Sequence, residues 1–504
     1  MKAFLTLLTI IVQYGVVSQA PYDRPQQQYP TINPAQISAF LEQYPKFSGY
    51  KNNLLQLYSK HPTYFWFEAK KLSEIGEVLK NDMDNINREG VFQPVPYHAQ
   101  LANLFVSQQP SAQHELFLSS IYLFYYETVF CGLPVSGSEA MGWYLPREKR
   151  DISSWIDSAL TDDHLSKPSL FYQYYLLRKS LARYQEIVSS GGWQQIEYNS
   201  ETLCPGDSAP IIRAIRSRLF KEKLLKKDSE SFLYDDNLQD AIASYCRIAG
   251  LDDPESIDRT LLESLNIPAN KRLETIAVNM ERCRWVPLSF SSINRYIAIN
   301  IPSFSLVYYD QGSPVLTSKV IVGKQVSQTI VFSGEISSIV LAPYWNVPKS
   351  ITNNEILPIA QKDPSYLSRN HFEWANGNLR QKPGPYNALG SVKFVFPNSN
   401  NIYLHDTPLP ALFSKRRRSY SHGCIRVEKA KELAKLILLQ DGGFSADEVE
   451  KDMTKSKPTV HHLKVCIPIY IAYFTAWADE NGNIRFFEDI YAKDSKLSGM
   501  LFSN

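Results

Sequence analysis

Beyond Val17 the chain has no run of about twenty apolar residues, so no second membrane span is expected. Charge of one sign is missing too. Fifty-three Lys and Arg against fifty-one Asp and Glu leave a formal net charge of +2, which gives no argument for nucleic acid or an acidic membrane surface. No C-x-x-C or H-E-x-x-H spacing occurs, which removes the usual zinc patterns. No repeat of solenoid period is present. Cysteine is scarce, with six residues at 131, 204, 246, 283, 424 and 466. If Cys424 is a working thiol, five remain, and five cannot all pair within one chain. A disulfide among them stays open, with no framework to point to it. Cys246 and Cys466 sit in apolar runs and read as small buried hydrophobes. No cysteine follows the amino-terminal apolar stretch, which argues against a lipid anchor there.

What is present suits a globular chain: 44% hydrophobic, 21% charged and 12% aromatic residues. The 504 residues are too many for one core, and roughly three to four domains are expected. Met1-Lys2, the apolar stretch Ala3–Val17 and Ser18-Gln19-Ala20 have the layout of a secretory signal over 1–20. Pro21 would follow the cut, an unfavourable position, so the mature terminus is not fixed. Residues 21–36 are rich in Pro and Gln and read as a flexible spacer. Apolar residues at spacings of three and four predict a helical scaffold domain over 37–202. Three short helices then predict a small bundle over 203–268, and 269–285 reads as one more helix. From 286 to 443 the texture turns to strands, including Val392–Phe396 and Ile402–Leu404, and the tail 444–504 adds further strands. The fold class is multidomain α+β.

The chemistry concentrates between Ile402 and Arg426. His405 closes an apolar run, and nineteen residues later Cys424 stands in Ser421-His422-Gly423-Cys424-Ile425-Arg426. A cysteine attacks carbonyl carbon as thiolate, and a nearby imidazole is the usual acceptor of its proton. His405, arriving from a neighbouring strand end, is assigned as base. His422, two residues before the thiol, and Ser421 are assigned to orientation, and Gly423 lets N–H groups approach an oxyanion. Asp406 could orient His405, but adjacent strand side chains point to opposite faces, so a backbone carbonyl is an equal candidate. A helix beginning near Glu428 would bring its positive end to the thiolate. Arg426, ahead of the run Lys415–Arg418, is the expected binder of substrate carboxylates. The competing arrangement is zinc on His405, His422 and Cys424, with Asp406 or His371.

This pattern resembles the signature of the L,D-transpeptidases that cross-link peptidoglycan, in the form with Arg at 426 carried by their large periplasmic members. Further similar stretches are Glu281-Arg282-Cys283-Arg284-Trp285, Tyr344-Trp345-Asn346-Val347-Pro348 and Pro383–Gly390. Cys283 stands where that family usually has Trp. The 203–268 bundle resembles a peptidoglycan-binding module, through Gly206-Asp207-Ser208, Ala241-Ile242 and Gly250-Leu251-Asp252. It departs from that module around Asp253-Pro254-Glu255, where glycines are usual. The resemblance implies an L,D-transpeptidase catalytic domain over 286–443 with a capping insertion at about 345–381. It implies a thioester on Cys424, formed from a tetrapeptide stem with loss of D-alanine and resolved by a second stem to a 3–3 cross-link. Trp345, Arg380 and Tyr403 become substrate-contact candidates. It further implies a periplasmic, carbapenem-sensitive enzyme with no cofactor, whose partners are peptidoglycan stems and other cell-wall synthesis enzymes. The same thiol would serve a carboxypeptidase or attach a protein to the wall. A non-catalytic wall-binding protein is the alternative of another class.

Overall fold

The computed structural model describes residues 30–502 except 69, 149, 151–155, 157–159, 161–166, 199–201 and 253–254. The expected signal, most of the spacer and Asp253-Pro254 lie outside the described residues. The described residues divide into two compact units, one within 30–79 and 99–120, the other within 80–98 and 121–502.

In the first unit the helix Pro34–Gln43 starts on Asn33, whose side chain accepts from the Gln36 N–H while the Gln36 side chain accepts from the Asn33 N–H. The spacer expected through residue 36 therefore ends earlier, at this reciprocal cap. An aromatic cluster follows, with Tyr44 and Phe117 rings 5.2 Å apart and Phe47 and Phe117 5.6 Å apart. Glu115 is fully buried and accepts from the Phe65 N–H at 2.8 Å; burial pushes its carboxyl up to about 8.

The second unit holds the rest. The helices Pro210–Lys221, Asp236–Ala249 and Arg259–Leu265 close around their own apolar core, including Ile215, Leu238, Tyr245 and Leu265. Asp235 and Asp258 cap the second and third helices, and Gly250 ends the second in the left-handed region. The helix Ala269–Arg284 is buried along most of its length. Its charged residues survive burial because each has partners. Arg284 pairs with Glu281 at 2.8 Å and donates to the Val129 carbonyl, Trp285 Nε1 donates to Glu281 at 2.9 Å, and Arg282 pairs with Asp494 at 2.7 Å.

The large sheet runs in the order Val392–Val395, Leu404–His405, Ile425–Val427, Ser313–Gly323, Ser305–Asp310, Arg295–Asn300, Thr459–Ala472, Val331–Leu341 and Trp143–Tyr144, with Ser419–Ser421 paired to Ser313–Gly323. Val392–Val395 also pairs with Val331–Leu341, so the sheet closes on itself and covers edges that would otherwise be free. Two boundaries move as a result. Thr459–Ala472, expected in a separate tail after 443, pairs with both Val331–Leu341 and Arg295–Asn300 inside this sheet. Trp143–Tyr144, expected in the helical scaffold, adds a parallel strand to Val331-Phe332. Alternation along a strand gives its faces but not its partners, so these long-range pairings leave no local mark. The tail also contains helices Ala446–Met453 and Asp494–Leu501 beside its hairpin Ala476–Ala478 with Ile484–Phe486. Cys131, Cys204, Cys283, Cys424 and Cys466 form no disulfide. Cys466 is exposed rather than buried, because it falls where the strand register shifts between His462 and Ile467.

Residues 345–381 form a separate small layer. Trp345–Asn346, Asn378–Gln381 and Phe372–Ala375 make a three-stranded sheet, and Val347, Ile356 and Leu379 make its core. Asn387 anchors its root by donating to the Pro343 and Lys382 carbonyls at 3.0 and 2.9 Å.

Candidate active site

His405 ends the strand Leu404–His405, and Cys424 immediately precedes Ile425–Val427. The two strands are parallel neighbours, with Leu404 opposite Ile425 and His405 opposite Arg426. One step back, Tyr403 and Cys424 share the next row; the Ile425 N–H donates to the Tyr403 carbonyl at 3.1 Å. Side chains alternate along a strand, so Cys424 and Arg426 share a face with Tyr403 and His405, while Leu404 and Ile425 are fully buried on the other.

His405 is 5% exposed, and its Nδ1 lies 2.6 Å from the Asp406 carbonyl. A carbonyl can only accept, so Nδ1 carries the proton and Nε2 has its lone pair available. The orienter is thus backbone. The Asp406 carboxylate points elsewhere and accepts from the Ser391 N–H at 2.9 Å. Gly390 makes room for it: φ is +61°, and a Cβ there would sit 2.4 Å from Asp406 Cγ.

The Cys424 sulfur is half-buried and 3.7 Å from the Asn401 carbonyl, with Tyr403 in the same row of the sheet. Burial pushes the Cys424 thiol up, against the opposing pull of Tyr403, Lys393 and Arg426. Burial first, then Arg426 and Lys393, push His405 down to about 3. At rest the pair is a neutral thiol beside a neutral imidazole.

The nucleophile loop is strapped from two sides. Ser421 Oγ donates to the Cys424 carbonyl at 2.5 Å and accepts from the Gly423 N–H at 3.2 Å. Thr329 Oγ1 donates to the Gly423 carbonyl at 2.8 Å, and Ser327 Oγ to the Ser421 carbonyl at 3.2 Å. Gly423 has φ of +115°, which a side chain would strain even though a Cβ has space.

Several expected contacts are not made. His422 turns away from the sulfur: its Nε2 pairs with Glu355 of the 345–381 layer at 2.8 Å. Arg380 is taken up by Glu373 at 2.6 Å on the adjacent strand, with its guanidinium 4.1 Å from the Tyr344 ring centroid. Of the Lys415–Arg418 run, Arg417 pairs with Glu488 and Arg418 donates to the Val320 and Phe304 carbonyls. The helix expected near Glu428 begins at Ala430, after the strand Ile425–Val427, so its N-terminus does not meet the thiol. Among the described residues no three His, Cys, Asp or Glu cluster as metal ligands.

Sequence reasoning missed Lys393, Thr329 and Ser327. Lys393 lies directly opposite His405 on the antiparallel strand Val392–Val395, its Nζ 4.0 Å from the Tyr403 ring centroid. Its signal was a lysine inside the apolar run Val392–Phe396. The two serine and threonine straps left no signal beyond a polar loop.

Fold and site define a mixed α+β protein, helical toward its amino end, with a cysteine and a histidine on one face of a closed sheet. Residues 294–454 match the family model of the L,D-transpeptidase catalytic domain, and residues 52–181 that of a scaffold domain. The chain is 34% identical over 256 residues to a protein of Haemophilus influenzae named "Putative L,D-transpeptidase", covering 46% of this chain and 51% of that one. The chain spans about half the length of that curated relative. Solved L,D-transpeptidases from Mycobacterium smegmatis and Mycobacterium tuberculosis are each 13% identical, covering 35% and 36% of this chain and 58% and 60% of theirs. Their TM-scores of 0.18 and 0.19 carry no weight in the assignment.

Proposed function

We propose that the protein is an exported L,D-transpeptidase that makes 3–3 peptidoglycan cross-links through an acyl-enzyme on Cys424. One observation carries the reading. His405 Nδ1 is tied to a carbonyl, leaving Nε2 as base on the strand face that Cys424 shares from the next row.

In the reaction, Nε2 of His405 takes the thiol proton as sulfur bonds to the carbonyl carbon at the L-centre of the third stem residue. The tetrahedral oxyanion is held by the N–H groups of Cys424 and Gly423, the latter giving up its long bond to Ser421 Oγ. Collapse breaks the C–N bond, and His405 returns its proton to the departing D-alanine amine. The side-chain amine of a second stem then attacks the thioester, loses a proton to His405, and expels the thiol. Tyr403 donates its hydroxyl to the sulfur while it carries charge. Because thiol and imidazole both start neutral, proton transfer accompanies attack rather than preceding it. The module at 203–268 is proposed as a wall-binding element, and stem peptides as the partner.

Intact-mass measurement with a tetrapeptide stem or a carbapenem tests this. A covalent adduct on the wild type that disappears in Cys424→Ala is expected, and a cross-linked dimer only when an acceptor stem is added. Folded wild type that forms no adduct sinks the proposal, and release of free tripeptide in the presence of acceptor makes the enzyme a carboxypeptidase.

A further inference from the structure

Three strands place one row of side chains across the reaction face. Lys393 lies opposite His405 on one side and Arg426 opposite it on the other. Their sequence neighbours Val392, Phe394, Leu404, Ile425 and Val427 are fully buried on the far side of the sheet. The base therefore sits between two cations, with Tyr403 and Cys424 in the row behind.

Among the described residues neither cation has a carboxylate partner. The titratable neighbour of each is the Cys424 thiol, and Arg426 Nε is buried with no acceptor among those residues. Both are partly withdrawn from water, where an unpaired charge is costly. Two such cations on one face make a site that lacks two anions.

We propose that Lys393 is a specificity-determining, substrate-binding residue: with Arg426 it holds the two carboxylates of the acyl donor, so that a free side-chain carboxylate on the third stem residue is selected over its amide. This rests on the transpeptidase reading above and goes beyond it in assigning Lys393 a role and the donor a charge state. The donor supplies one carboxylate on the terminal D-alanine, close beyond the bond that breaks. A diamino diacid at the third position supplies a second, on the other side of the reacting carbonyl. The two anions then straddle the carbonyl as the two cations straddle His405. An amide, or a diamino monoacid such as lysine, leaves one cation unpaired in a site that substrate has just closed. Bound carboxylates also offset the field of Lys393 and Arg426 on His405, so the correct donor strengthens its own base.

The test compares acylation by three synthetic tetrapeptides, with the third residue a diamino diacid, its side-chain amide, or L-lysine, on the full chain. Wild type is expected to favour the free diacid in kcat/KM by about tenfold or more, the usual worth of a charge-assisted contact. Lys393→Met is expected to shrink the ratio to about twofold by losing rate on the diacid alone, and Lys393→Arg to restore it. If Lys393→Met fails to fold, Lys393→Gln is read in its place. A wild type that treats diacid and amide alike overturns the proposal. So does a Lys393→Met variant that slows all three donors equally, because Lys393 would then serve only the sulfur. Absence of any acyl-enzyme from all three donors and from a carbapenem is a different failure, that of the transpeptidase reading.

Discussion

Arg284 and Arg426 are cations of one unit kept in opposite company. Arg284 has a side chain 1% exposed and is paired with Glu281 at 2.8 Å, with the Val129 and Glu89 carbonyls at 2.8 and 2.5 Å. Arg426 lies on the same face as His405, with a buried Nε that has no acceptor and no carboxylate nearby among the described residues. A fold that needs a buried charge for architecture surrounds it with acceptors. Where it leaves one bare next to a nucleophile, the missing partner is supplied from outside. The contrast separates the Glu281–Trp285 stretch, which holds the unit together, from the His405–Arg426 stretch, which is proposed to meet substrate.

The comparison breaks first at the base. His405→Ala is expected to slow acylation by about 10²–10⁴-fold, the range for a positioned general base, with little change in melting. A loss below about tenfold would move the base elsewhere. Next comes the crossed pair. Arg284→Met strands the Glu281 carboxylate in the interior and is expected to cost about 3–5 kcal/mol of stability in denaturant titration. Arg426→Met, by contrast, is expected to change stability by less than about 1 kcal/mol while cutting kcat/KM. If both variants unfold alike, the distinction between architectural and functional cations is lost. Smaller again is Tyr403→Phe, which keeps the ring that lies 4.0 Å from Lys393 Nζ and removes the hydroxyl proposed to donate to the sulfur. About a tenfold fall in acylation is expected, the worth of one hydrogen bond to a charged group. An unchanged rate would leave Tyr403 as packing.

The site was legible where it is linear and obscure where it is assembled across the sheet. His405, Gly423, Cys424 and Arg426 lie within twenty-two residues, and their residue types alone state the chemistry. Tyr403 came only through the resemblance, as a substrate-contact candidate, and the structure places it two residues from His405 on the same face. Lys393 needed the pairing of Val392–Val395 with Leu404–His405, which no local pattern specifies. The pairings of His422 and Arg380 were hidden for a related reason. Their carboxylate partners, Glu355 and Glu373, belong to the 345–381 layer, and only its folded register brings them together. The same limit governs the fold: the alternating strands from Arg295 onward were readable, but the recruitment of Thr459–Ala472 and Trp143–Tyr144 into one closed sheet was not.

The finest test concerns what the bare cations do to His405 before substrate arrives. Burial pushes its pKa down to about 3, and Arg426 and then Lys393 push in the same direction. A lowered pKa means the ring stays neutral as pH falls, so Nε2 remains a base well into acid. Removing a positive neighbour removes one depressing cause, and the midpoint must rise toward the ordinary histidine value of about 6.5. The His405 ring signal, followed by NMR in histidine-labelled protein, is expected to show no titration in wild type above about pH 5. Arg426→Met should raise the midpoint, and Lys393→Met should raise it by less, since Arg426 is the larger cause. A wild-type midpoint near the ordinary value, or a fall in either variant, would mean that the two cations do not act on the base and that their bareness serves substrate alone.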